Sequence, residues 1–181
     1  MKLRALIAAM SLISIVAAIP NAAIAANSNS ANFVRGSNQY SYIANNLGIQ
    51  AGNVTIEAWL YLNSLPSSGQ IYGIAYLTNN ASANHVGYNL RYFNESGTKK
   101  LQIIREKPGV ADNNASWTVN LSTNTWYHVA ATFDGSNVRL FSATVGGTHT
   151  QQATIGSSGV GNGTFIQNSG FAIGSTVHWG S

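Results

Sequence analysis

The sequence contains no cysteine. That absence excludes a disulfide framework, a thiolate-bound zinc cluster and a cysteine nucleophile. Charge is nearly as scarce: 5 Asp+Glu and 9 Lys+Arg make up 8% of 181 residues. The few bases are scattered, and only Lys99 and Lys100 are adjacent. There is no basic stripe to track a phosphate backbone, so nucleic acid is not an expected partner. Sustained helical periodicity is missing, and so is any internal repeat of the kind that builds solenoids or propellers. What is present is Asn, Ser, Thr and Gly, interleaved with β-branched residues and 10% aromatics. That composition can bury a core and argues against disorder.

The longest apolar run stands at the N-terminus. Lys2 and Arg4 precede Leu6 to Ile19, which is apolar apart from two serines. Pro20 and Asn21 break the run, and Ala23-Ile24-Ala25 supplies a small-x-small site. Charge, apolar run and small-residue site in that order predict a secretory signal peptide over residues 1–25, cleaved after Ala25. The run is shorter than the roughly 20 residues a spanning helix needs, so no membrane span is expected after cleavage. Loss of Lys2 and Arg4 lowers the formal charge from +4 to +2. Residues 26–31 read as a flexible mature terminus and 32–181 as one domain, long enough to need no covalent staple. The expected location is outside the cytoplasm: secreted, at the cell surface or in the periplasm.

Past the leader the apolar period is two. In Val54 to Leu62, Val54, Ile56, Ala58, Leu60 and Leu62 share one face, and Thr55, Glu57, Trp59 and Tyr61 share the other. This is the pattern of a half-buried strand. Further strands are predicted at 71–77, 87–93, 100–106, 117–121, 126–133 and 138–143, with short ones at 150–155 and 171–174. Asn94-Glu95-Ser96-Gly97 and Asp134-Gly135-Ser136-Asn137 carry turn chemistry between them. Short strands at this spacing predict an antiparallel β-sandwich or barrel.

The residues then carry a resemblance. Asn53 to Leu62 (NVTIEAWLYL) resembles the first core strand of laminin G-like domains of the concanavalin A-like superfamily. Asn124 to Phe141 (NTWYHVAATFDGSNVRLF) is similar to that family's most recognisable hairpin. Gly87 to Tyr92, Leu101 to Ile104 and Phe171 to Ser175 fit its central and late strands. The resemblance implies an all-β, two-sheet jelly-roll sandwich that binds glycans, peptides or proteins, with Ca2+ in some members. Two departures stand out. Ser142-Ala-Thr-Val-Gly-Gly147 replaces a shorter turn. The chain also stops at Val177 to Ser181, before the family's closing strand with its Asp-Glu and apolar-Arg-apolar pattern, so that strand is expected to be missing.

Catalytic chemistry finds little support. Glycosidases need two carboxylates at a set separation, about 5 Å for retention of configuration. Those of this superfamily typically carry them close together on one strand. Beyond the leader the acids are Glu57, Glu95, Glu106, Asp112 and Asp134, with no two one or two positions apart in a strand. There is no G-x-S-x-G elbow in strand–turn–helix context and no zinc-spaced histidine motif. The chain is therefore expected to be non-catalytic. Asp112, in the Asp112-Asn113-Asn114 loop, is the one candidate contributor to a Ca2+ site, which needs about six to eight oxygens.

His128 shares a strand face with Trp126, Ala130 and Thr132, and is either a ligand contact or acid/base, or a partner for Glu57. A carboxylate among apolar residues persists only if paired or hydrogen-bonded, so Glu57 and His128 are expected to approach each other. Sugar rings stack their CH faces on aromatics and offer hydroxyls to polar side chains. Tyr72, Tyr76, Tyr88, Tyr92 and Trp117 accompany Asn89, Arg91, Gln102 and Arg105 on the middle strands, which the resemblance places in a concave sheet. At least half of these aromatics belong to the core. Arg91, Arg105 and Trp117 are expected to be accessible and to touch ligand. The expected partner is a glycan or an extracellular protein. An accessory domain or fragment of a secreted glycoside hydrolase, or a structural part of a surface adhesin, is the alternative.

Overall fold

The computed structural model describes residues 2–4, 31–33, 39–43, 53–79, 87–106, 112–156 and 169–174. In chain order its strands are β1 (Lys2–Arg4), β2 (Ala31–Asn32), β3 (Ser41–Ile43), β4 (Val54–Tyr61), β5 (Ile71–Asn79) and β6 (Gly87–Glu95). They continue as β7 (Thr98–Glu106), β8 (Asn113–Thr118), β9 (Trp126–Phe133), β10 (Asn137–Thr144), β11 (Thr150–Gly156) and β12 (Ser169–Ile173). Two six-stranded antiparallel sheets result. The first runs β11-β10-β9-β4-β1-β2 and the second β3-β12-β5-β6-β7-β8. No helix occurs among the described residues. The architecture is the all-β sandwich the strand pattern predicts.

Alternation builds the core. Val54, Ile56, Ala58 and Leu60 of β4 are buried while Thr55 and Glu57 are exposed. Leu60, Leu90, Leu101, Val129 and Leu140 meet from both sheets with no residual exposure. Each such side chain contributes about 1.5–3 kcal/mol by leaving water. Two-residue turns hold the register. Ser96 (φ 50°) and Gly97 (φ 94°) close the β6–β7 hairpin in left-handed conformations, as the twist of paired strands requires. Asn94 Oδ1 accepts from Gly97 N at 2.8 Å, and Asn94 Nδ2 donates to the Pro66 carbonyl at 2.9 Å.

Two elements depart from the sequence reading. The strand predicted over 117–121 runs instead over Asn113–Thr118. The Tyr92 hydroxyl explains its end: it donates to the Val119 carbonyl at 3.1 Å and accepts from Leu121 N at 3.2 Å. Val119 N still donates to the Lys99 carbonyl at 3.0 Å, and beyond it Leu121 is buried in the core. At the other end, Lys2–Arg4, inside the segment read as a leader, forms β1 and pairs with Trp59–Tyr61. Ala31–Asn32, where the stretch read as flexible meets the domain, pairs with β1 in turn. The Ala23–Ala25 cleavage site and Val177–Ser181 lie outside the described residues. No helix among the described residues is long and apolar enough to cross a membrane.

The two outer faces differ. On the second sheet, Tyr76, Asn89, Gln102, Ile104 and Ala172 are buried although they point away from the core between the sheets. On the first sheet, Trp59, Tyr61, Trp126 and His128 are only partly buried.

Candidate functional site

The sequence-selected residues do not converge. Arg91 lies on the outer face of the second sheet, where its Nε donates to Gln102 Oε1 at 2.8 Å and its guanidinium covers Phe93 at 4.7 Å. Gln102 Nε2 then donates to Ser116 Oγ at 2.7 Å. Trp117 pairs with Leu101 and packs against the core on the opposite face. Arg105 corrects the expectation outright: it has no exposure at all. It alternates in phase with Leu101 and Ile103, so it points between the sheets. There its guanidinium sits 4.7 Å from the Tyr88 ring and 5.4 Å from Phe133. Burial lowers its proton affinity, and Tyr88 partly restores it. Arg105 packs between the two sheets.

The accessible aromatics are on the first sheet. The β4–β9 register sets Tyr61 opposite Trp126 and Trp59 opposite His128. The Tyr61 and Trp126 ring centroids are 4.9 Å apart, and those of Trp59 and His128 are 5.0 Å apart. Local chemistry fixes this meeting. Asn124 takes a left-handed conformation (φ 56°), which Asn tolerates better than most residues. Its N–H donates to the Leu62 carbonyl at 2.9 Å, and its Oδ1 accepts from the Tyr61 hydroxyl at 3.3 Å. The turn thereby delivers Trp126 beside Tyr61. The result is a strip of four rings on one face.

A titratable cluster continues the strip. Glu57 Oε2 lies 3.6 Å from His128 Nε2. Glu57 pairs with Ala130 in the register, so it reaches His128 diagonally. Its side chain is 56% exposed, so the contact is not forced by burial of the carboxylate. His128 Nδ1 faces His149 Nε2 at 2.5 Å, with the two rings at 86°. Burial depresses the His128 pKa below its usual value; Glu57 opposes this and His149 adds to it. His149 was not singled out from the sequence. It lies 21 residues from His128 and outside any strand, and no spacing rule joins them.

Other acids are engaged elsewhere. Asp134 bonds Arg139 and accepts from Ser136 N and Asn137 N, which hold its carboxyl at about 2. Glu95 pairs with Lys100 at 2.6 Å. Asp112 is exposed at the start of β8. Among the described residues no group of three or more His, Asp or Glu side chains is placed to hold a metal ion. The first-sheet strip presents apolar ring faces flanked by Asn124 and the Glu57 carboxylate. Such a surface can stack a planar or ring-shaped ligand and bond its polar rim.

Comparison with known proteins places this geometry in a family. The Laminin_G_3 family model, described as the concanavalin A-like lectin/glucanases superfamily, matches residues 35–180. No curated protein matches the chain. Among solved structures, the enzymatically active domain of bacteriophage CBA120 tailspike protein 2 aligns with a TM-score of 0.50 at 14% identity, over 67% of this chain and 19% of that one. Bacteroides ovatus xyloglucan PUL GH43B aligns at 0.43 and 16% identity, over 68% and 23%. A native heptameric SAP-like pentraxin from Limulus polyphemus aligns at 0.40 and 12% identity, over 72% and 58%. The chain thus spans about a fifth of the first two proteins it aligns with. Identities this low carry the fold alone.

Proposed function

The chain belongs to the concanavalin A-like lectin/glucanases superfamily, and from that premise we propose that it is an exported, non-catalytic module binding carbohydrate or a glycosylated surface. The observation that carries this reading is the pair of ring contacts on the first sheet, Tyr61 with Trp126 and Trp59 with His128. Both are partly exposed and both are held by strand register. Aromatic faces fixed by a sheet lose little entropy on binding, and their area is offered to the CH faces of a sugar. Asn124 and Glu57 supply hydrogen-bonding groups at the rim. Export rests on the order of charge, apolar run and small-residue site in residues 1–25.

The non-catalytic part has its own support. Hydrolysis of a glycoside by two carboxylates needs both on the same bond. Glu57 is the one acid among the described residues in the strip, and Asp134 and Glu95 are engaged by Arg139 and Lys100. Calcium has no part in this reading, because Glu57, Asn124 and Tyr61 supply fewer oxygens than the about six to eight that a Ca2+ site needs.

A glycan array probed with the leaderless chain tests the proposal, first with Ca2+ and then with EDTA. Retention of one sugar class under both conditions is expected, as is loss of that signal in Trp126→Ala. Release of reducing sugar from a bound polysaccharide would replace the binding module with a hydrolase. No retention of any glycan would favour a structural part of an adhesin.

A further inference from the structure

The His128–His149 contact has a chemistry that sugar binding does not use. Two imidazole nitrogens, His128 Nδ1 and His149 Nε2, point at each other 2.5 Å apart. The remaining ring nitrogen of His128 faces the Glu57 carboxylate at 3.6 Å. A carboxylate behind one imidazole nitrogen favours a proton there and leaves the lone pair on the other. That lone pair, on Nδ1, is the one directed at His149. Carboxylate, then imidazole, then a second nitrogen donor is the order in which proteins support a transition-metal ligand from behind. We propose that His128 and His149 form a two-imidazole site for a divalent transition metal ion of the zinc or copper type, with Glu57 as the positioning carboxylate.

The geometry needs little change. Zinc–nitrogen bonds of about 2.0–2.1 Å at a tetrahedral angle put the two nitrogens about 3.3 Å apart. The pair therefore opens by less than about 1 Å. His128 is the fixed partner, set mid-strand in β9 and packed on Trp59. His149 is the exposed partner and follows a turn through Gly146 (φ 74°) and Gly147. Small Ala143 pairs with His128, and Ser142 pairs with Thr150, so His149 crosses above Ala143 to reach its partner. Nitrogen donors select zinc, copper or nickel over calcium and magnesium. With two protein ligands, the ion keeps its other positions for water or an incoming donor, on the same face as the aromatic strip.

The test is calorimetric titration of the full, chelator-treated chain with ZnCl2, CuCl2 and CaCl2 in separate runs. One zinc or copper ion per chain at micromolar affinity is expected, with no heat from calcium. Because His149 is exposed, His149→Gln leaves the fold intact, and it should weaken binding at least tenfold. Ala143→Leu, which fills the space His149 crosses, should do the same without removing a ligand. Glu57→Gln should weaken binding less than His149→Gln. Copper bound to the wild-type chain should show two-nitrogen coupling in its electron paramagnetic resonance spectrum. Zinc affinity unchanged in His149→Gln, or no binding by the wild-type chain, would overturn the site.

Discussion

The outer faces of the two sheets are treated oppositely. On the second sheet, Tyr76, Asn89, Gln102 and Ile104 are buried, and Gln102 links Arg91 to Ser116 in one hydrogen-bonded row. Its polar groups largely satisfy one another. On the first sheet, Trp59, Tyr61, Trp126 and His128 touch in pairs yet remain partly exposed. An aromatic surface left partly wet gains free energy when something covers it. The difference lies in how the two faces are treated: Arg91, Gln102 and Ser116 bond one another on the second sheet, while tyrosine, tryptophan and histidine rings stay partly exposed on the first.

Substitutions that strike one face and spare the other sharpen this contrast. The largest effect is expected at Arg105. Its guanidinium fills space between Tyr88 and Phe133, so Arg105→Ala leaves a cavity and removes two cation–π contacts. Denaturant unfolding should show a loss of about 3 kcal/mol. Ligand affinity of the folded fraction should be unchanged. Next comes Trp126→Ala, which should cost about 1–3 kcal/mol of ligand binding, read by calorimetry, with little change in Tm. A fall in Tm as large as that of Arg105→Ala would mean that the strip is structural after all.

Smaller effects refine the second-sheet face. Asn89 is 5% exposed and its Oδ1 has no hydrogen-bond partner among the described residues. An unsatisfied buried acceptor costs stability, and an apolar group of similar shape does not. Asn89→Leu is therefore expected to be neutral or to stabilise by up to about 1 kcal/mol in the same unfolding experiment. The pH dependence is smaller again. His128 takes its proton in the folded chain at lower pH than in the unfolded chain, where the value is about 6.5. Between those two values the unfolded state binds more protons, so stability falls as pH drops below about 6.5. His128→Gln should flatten that part of the stability curve. Asp134 acts in a separate window: its contribution is present above its ordinary pKa and lost as pH falls through about 2.

Much of this was legible from alternation. The burial of Val54, Ile56, Ala58 and Leu60, and the shared outer face of Glu57, Trp59 and Tyr61, follow from a period of two. Arg105 was legible too, since it stands in phase with Leu101 and Ile103. Its charge suggested exposure, and the phase decided otherwise. The β8 boundaries were harder, because Asn113 to Ser116 carries no alternating apolar signal and the Tyr92 hydroxyl acts from another strand. The strip itself depended on knowing that β4 lies beside β9, and in what register. Each strand announces its own faces; which rings meet is a property of the pair. His149 arrives from a turn and leaves no periodic trace.

The most direct test follows the indole N–H signals of Trp59, Trp117 and Trp126 by NMR as the best-retained glycan is titrated in. Trp59 and Trp126 should shift together with saturation, while Trp117, packed against the core of the second sheet, should stay fixed. Shifts at Trp117 and the Arg91 side chain, with Trp59 and Trp126 unmoved, would contradict the account and return the binding surface to the second sheet.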